Sequence, residues 1–433
     1  MSRKWSVVWA AAVLLAAAPA SAAEPGQTII SSDYGSLTVA AIMQGLLQAR
    51  IDGSDLNRDV AATPAVEPND VFANNHVDFA LQRARIILKG NLLSPNLTYV
   101  FQGDATLAEF VLDARIGFVI PEAEGISTTI SAGRYLPPFT LILPRLVSRL
   151  DAINYPLYLF TSFPASLSRM QPFASTNTTG RQVGVLITQK LTPMFQVDFG
   201  VFNGFQRTPQ AGAFTSTAGG WGDDNDYKDF LVRAAVRPID GLLFALDFWA
   251  GFPVSLDSGI PDDLATPTVN EFREKAPFGI ATGDPTYQND ADYFAVFETE
   301  ITLLDPVKIM GEFAYTHQTI RTMDATATPP TRSESTIDGI GGWLHVGYLF
   351  KDLLAAGADF ELVARFDYFN PDINVGDDGQ MRVTFGPHFL LEGLHSQIRL
   401  NYMFNISQSA LTPGDDSWDD QRHEIWLQAV VEI

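Results

Sequence analysis

An all-β transmembrane barrel of about sixteen antiparallel, up-and-down strands is the fold this sequence predicts, and three observations carry that expectation. From Ser36 onward the chain falls into segments of about ten residues in which apolar and ionisable residues alternate with period two. The connections between these segments alternate between short and long. Beyond the N-terminal leader no stretch reaches the roughly 18 consecutive apolar residues a transmembrane helix needs, although 46% of the chain is apolar and it contains 30 Phe. A closed barrel can spend those aromatics on a lipid-facing band.

Residues 1–23 are expected to be a secretory signal peptide. Arg3 and Lys4 precede an apolar core from Val7 to Ala18, and Pro19 leads into the small-residue run Ala20-Ser21-Ala22-Ala23, an A-x-A-type cleavage site. A retained anchor helix is the competing reading, and no stop-transfer flank follows to support it. Residues 24–433 then form one barrel outside the cytoplasm, and the dozen or so residues before its first strand leave no length for an N-terminal plug. The formal charge of −22, from 28 basic and 50 acidic residues, argues against nucleic acid as a partner. Cysteine is absent, which excludes disulfides and thiolate metal sites.

In chain order, strands are expected to start near 36, 77, 96, 108, 125, 181, 194, 230, 241, 292, 306, 341, 358, 380, 395 and 422. The segment Leu242, Phe244, Leu246, Phe248 alternates with Asp247. Likewise Phe360, Leu362, Ala364 and Phe366 alternate with Glu361, Arg365 and Asp367. Ionised groups therefore share the face opposite the aromatics, which suits a polar lumen and an oily exterior. Short turns such as Leu191-Thr192-Pro193 and Asp305-Pro306 mark the periplasmic end. Long connections, among them 51–75, 135–179, 206–229, 253–291 and 319–340, mark the outer end. A soluble β-sandwich could produce the alternation, but not this parity of loop lengths. Acidic clusters in the outer loops, such as Asp223-Asp224 and Asp415-Asp416, read as solvated turns; divalent-cation binding is the alternative.

The stretch Gly133 to Tyr158 interrupts this regularity with an apolar, proline-bounded insertion that bears arginines. Pro144 can open a short helix running to Ala152, with Leu143, Leu146, Val147 and Leu150 on the inner wall. Arg145 and Arg149, at i and i+4, would then face the channel axis. The loop over about 135–179 is expected to fold inward, so that Arg134, Arg145 and Arg149 line a pore constriction. The other reading makes it a lid over the mouth, its arginines bound to lipopolysaccharide or to neighbouring aspartates. Parity assigns Arg83, Arg85, Arg115, Arg233, Arg365 and Arg399 to the lumen wall, balanced by carboxylates that include Asp104, Asp198, Asp247, Glu298, Glu312 and Asp367. The six histidines are scattered and no nucleophile-elbow, metalloprotease or phosphate-loop motif occurs, so neither enzymatic activity, nor a metal, nor a cofactor is expected.

Several short segments resemble the phosphate-selective porin O/P family: Leu81-Gln82-Arg83-Ala84-Arg85-Ile86, Gly133-Arg134-Tyr135-Leu136-Pro137-Pro138-Phe139, Gly200-Val201-Phe202-Asn203-Gly204 and Leu362-Val363-Ala364-Arg365-Phe366-Asp367. The resemblance implies a sixteen-stranded, trimeric diffusion channel in a Gram-negative outer membrane. Leu136 stands where that family places a constriction lysine, with Arg134 nearby, and the chain ends in Ile433 rather than an aromatic. The functional expectation is a passive porin, bedded in outer-membrane lipid and lipopolysaccharide, for small hydrophilic solutes with a mild preference for phosphate-like anions. A low-conductance barrel with a structural or surface-binding role is the alternative.

Overall fold

A strand with one oily and one polar face can cross lipid only if every ladder N–H and C=O is paired, and a ring of strands achieves this without an edge. The computed structural model describes residues 27–32, 35–52, 76–106, 110–123, 125–145, 152–159, 181–203, 208–210, 213–215, 228–251, 292–324, 331–355, 358–370, 372–376, 379–407 and 421–432. The first strands are β1 (Gln27–Ser32), β2 (Gly35–Asp52), β3 (His76–Leu92), β4 (Ser94–Asp104), β5 (Val111–Ala123) and β6 (Ile126–Tyr135). There follow β7 (Gln182–Lys190), β8 (Phe195–Phe202), β9 (Thr208–Gln210), β10 (Ala213–Thr215), β11 (Asp229–Val236) and β12 (Leu242–Gly251). The last are β13 (Asp292–Leu304), β14 (Val307–Asp324), β15 (Thr331–Ala355), β16 (Ala358–Asn370), β17 (Gln380–Leu394), β18 (Ser396–Ser407) and β19 (Gln421–Glu432).

Sixteen of these close the barrel. From β2 to β8 each strand pairs antiparallel with the next, β8 pairs with β11, the series continues to β19, and β19 returns to β2. β9 and β10 form a separate hairpin. The expected starts at 36, 77, 181, 292, 358, 380 and 422 fall within one residue of the observed 35, 76, 182, 292, 358, 380 and 421.

Three segments differ from expectation, the first being the β9–β10 hairpin inside the outer loop expected over 206–229. β1, unforeseen, folds back on the start of β2, with Ser32 opposite Gly35. The long outer loop expected over 319–340 is mostly strand, because β14 and β15 stay paired out to Asp324 opposite Thr331. The run Thr331-Arg332-Ser333-Glu334-Ser335 lacks alternation because a hairpin standing above the lipid has no oily face to keep. The signal-peptide expectation and the acidic clusters at Asp223-Asp224 and Asp415-Asp416 lie outside the described residues.

Burial is inverted relative to a soluble protein. On β12 Asp247 and Trp249 are fully buried while Leu246 is 59% exposed. On β13 Glu298 is buried and Phe297 exposed. Ring clusters mark the two rims of the outer surface. Tyr348, Phe350, Phe360 and Phe389 form a chain of centroids 4.6, 5.7 and 5.4 Å apart near the short-turn end. Phe248, Tyr293 and His317 stack at 5.9 and 6.1 Å near the opposite end. Such paired girdles sit at the two headgroup levels of a bilayer.

Candidate functional site

The connection from β6 to β7 is described over 136–145 and 152–159. It follows Tyr135, two residues after Gly133, whose φ of 131° suits glycine and where a Cβ would lie 2.1 Å from the Ala114 carbonyl oxygen. Beyond Pro137-Pro138, the side chains of Phe139, Leu141, Ile142, Leu143, Leu157 and Tyr158 are buried against wall residues, among them Phe202, Trp249, Phe294, Met310, Trp343 and Phe369. Phe139 meets Trp249 edge-on at 5.8 Å, and Trp249 stacks on Phe202 at 5.3 Å. Each such side chain contributes roughly 1.5–3 kcal/mol on burial. Gly341 permits the closest approach, since a Cβ there would sit 2.5 Å from Tyr158 Cβ.

A loop taken out of bulk water must still satisfy its backbone, and the wall supplies the partners. Asp247 Oδ2 accepts the Thr140 N–H at 3.1 Å, Asn401 Oδ1 the Ile153 N–H at 2.9 Å and Asp367 Oδ1 the Leu157 N–H at 3.3 Å. Glu312 accepts from the Leu141 N–H, the Tyr158 hydroxyl and, at 2.6 Å, Trp343 Nε1. Burial, then the Glu312 carboxylate, pushes the Tyr158 phenol well above its ordinary range, so this loop residue stays a donor. In return Arg365 donates to the Asn154 carbonyl at 2.7 Å, and Arg382 to the Tyr155 carbonyl.

The structure places the expected wall arginines as follows. Arg83 is half-buried and donates to Gln44 Oε1 at 2.7 Å. Arg85 is buried and paired with Asp104 at 2.8 Å. Arg115 is exposed on the lumen parity, its guanidinium 5.5 Å from the Tyr135 ring centre. Arg233 gathers Glu298 at 2.7 Å, Asp247 at 3.1 Å and Asp198 at 3.7 Å. Arg365 pairs with Asp367 at 2.9 Å, and Arg399 donates to Gln397 Oε1 at 2.7 Å.

The expected constriction set is placed less uniformly. Arg134 is 1% exposed at the end of β6 and donates to the Val111 carbonyl at 3.2 Å. Arg145 pairs with Glu300 on β13 at 2.6 Å, with about a fifth of its side chain exposed, so its guanidinium is turned to the wall rather than the axis. Pro144, Arg145 and Ala152 sit in turns and bends; the rest of the expected helix and Arg149 lie outside the described residues.

Sequence reasoning missed Arg181, buried and paired with Asp113 at 2.6 Å, because it stands at the boundary of β7, where parity assigns no face. It also missed Asn401 and Asn154 as partners across the loop, since neither carries a charge that parity could flag. The named loop contacts fall on the arc from β8 to β18. The complementary arc, β19 with β2 to β5, carries Gln44, Gln48, Gln82, Gln102, Gln428 and Trp426 beside its ion pairs. Among the described residues no group of three or more His, Asp or Glu could hold a metal ion.

Solved structures with the same fold are Gram-negative outer-membrane porins and channels. An anion-selective porin from Comamonas acidovorans aligns with a TM-score of 0.53 at 11% identity over 92% of this chain and 100% of its own. The outer membrane channel DcaP of Acinetobacter baumannii gives 0.54 at 10% identity over 95% and 100%. Salmonella typhi OmpF, in complex with daunomycin, gives 0.52 at 12% identity over 94% and 100%. No protein-family model matches the sequence, and no curated protein does. At these identities the likeness is one of fold: a closed sixteen-stranded antiparallel barrel of the outer-membrane porin type.

Proposed function

We propose that this chain is a passive diffusion channel of a Gram-negative outer membrane, admitting small hydrophilic solutes. The observation that carries the reading is a charged, amide-lined barrel interior in which one loop is fastened to the arc from β8 to β18 by paired backbone groups. A loop so held narrows the passage without closing on each solute, and the fixed charge nearest the passage sets ion preference. Arg115, exposed on the lumen face, and the partly exposed Arg83 then favour phosphate-like anions; Arg145, partly exposed but paired with Glu300, adds to them, Arg134 is buried at the start of the loop, and Arg149 lies outside the described residues. The resemblance to the phosphate-selective O/P porins supports this preference. It also supports a homotrimer bedded in lipid and lipopolysaccharide, which crosslinking of intact membranes reads directly.

Purified protein in a planar bilayer tests the proposal. Stepwise channels are expected, with a reversal potential in a salt gradient that reports anion preference and moves toward neutrality in Arg115→Ala plus Arg145→Ala. Absence of channels at every voltage would sink the reading, and cation selectivity unchanged by those substitutions would sink the role of the arginines. A second reading, a barrel of low conductance with a structural or surface-binding role, is favoured by the apolar packing of Phe139, Leu141 and Leu157 inside the barrel. Its signature is rare, small conductance steps.

A further inference from the structure

We infer that Trp426, Gln48 and Glu424 form a subsite for the ring of a carbohydrate, on the lumen wall at the long-loop end of the barrel. The subsite rests on the channel reading only for how a sugar arrives, and its chemistry stands on the wall itself. Ile425 and Leu427 are exposed to lipid at 41% and 37%, whereas Glu424 and Gln428 are buried, so the alternation on β19 points Trp426 inward. Its indole is only half-buried, unlike Trp249 and Trp343, which the folded loop covers.

The indole is held rather than loose. Trp426 Nε1 donates to Glu424 Oε2 at 2.8 Å, and Gln48 Nε2 donates to the same oxygen at 3.2 Å. Trp426 lies in register with Gln48 on β2, whose half-buried amide flanks the ring; Asn401, its register partner on β18, is fully buried and already holds the loop at Ile153. Farther from the long-loop end on the same arc, Gln428 Nε2 donates to Gln82 Oε1 at 2.6 Å, and Gln44 accepts from Arg83.

This combination selects a chemistry. A pyranose has an apolar C–H face that an indole can cover and a rim of hydroxyls that both donate and accept, as amide side chains do. A planar apolar surface with a few fixed polar groups is how small-molecule sites orient their ligands.

The probe is maltotriose. Titrated by calorimetry into the full-length barrel in detergent, it is expected to bind the wild type, to lose about tenfold in affinity in Trp426→Ala, and to be largely retained in Trp426→Phe. In planar bilayers it should block the ion current of the wild type in proportion to occupancy and that of Trp426→Ala far less. No binding heat, equal affinity in Trp426→Ala, or binding of choline in preference to the sugar would overturn the subsite. Calorimetry reads it even if no channel opens, so its failure and that of the channel reading are told apart.

Discussion

Arg233 holds together the acidic side of the lumen. Three carboxylates, Asp198, Asp247 and Glu298, lie at 1% exposure or less around its one guanidinium, and Asp247 in turn holds the loop at Thr140. Removing that cation leaves buried anions uncompensated, which costs about 3–5 kcal/mol. Arg233→Met is therefore expected to destabilise the barrel by that amount in urea unfolding from lipid vesicles; a loss under about 1 kcal/mol would mean the cluster is neutralised by other means. Gly341→Ala tests the tightest loop contact. Its new Cβ must displace the buried Tyr158, so vesicle unfolding should lose about 1–3 kcal/mol and open-channel current should become noisier, and an unaltered trace would mean that the loop does not line the passage. The inward face of Arg233, Asp198, Asp247 and Glu298 was legible from period-two spacing alone. Their partners were not, because Arg145 finds Glu300 155 positions away and no local pattern encodes such a pair.

At the scale of the element, the β6–β7 loop shows where sequence reasoning stops. Its apolar character, its position as the third outer connection and its two arginines could all be read in advance. Its attachment could not, because the donors are backbone N–H groups of Thr140, Leu141, Ile153 and Leu157, which every residue type carries alike. Of the residues expected on the wall, Leu143 is buried there, while Leu146, Val147 and Leu150 lie outside the described residues; Leu141 and Leu157, not foreseen, are buried too, and Arg145 is drawn to the wall with them. Replacing residues 139–158 with a short glycine–serine bridge leaves every barrel ladder intact. The variant is expected to fold and to conduct several-fold more than the wild type. Unchanged conductance would show that the loop does not narrow the passage.

For the whole molecule, the closed ring predicts that outward and inward positions obey opposite rules. Phe297→Lys, midway along β13 and facing lipid, should cost about 2–4 kcal/mol of folding into vesicles. The same change at inward-facing Lys308 is already the native state. Strand number, order and orientation were legible because lipid imposes alternation wherever the chain crosses it. β1 and the upper halves of β14 and β15 were not, because outside the bilayer that constraint lapses and only ladder pairing remains. That lapse lets one strand outgrow the others described. β15 runs 25 residues, about 80 Å, beside strands such as β11 of 8 residues, and crossing needs only about ten. Among the described residues the β14–β15 hairpin therefore reaches farthest beyond the lipid-crossing level on the long-loop side. A peptide tag spliced between Asp324 and Thr331 should be labelled by antibody on intact cells, making this arm a handle on the living surface that leaves the lumen untouched.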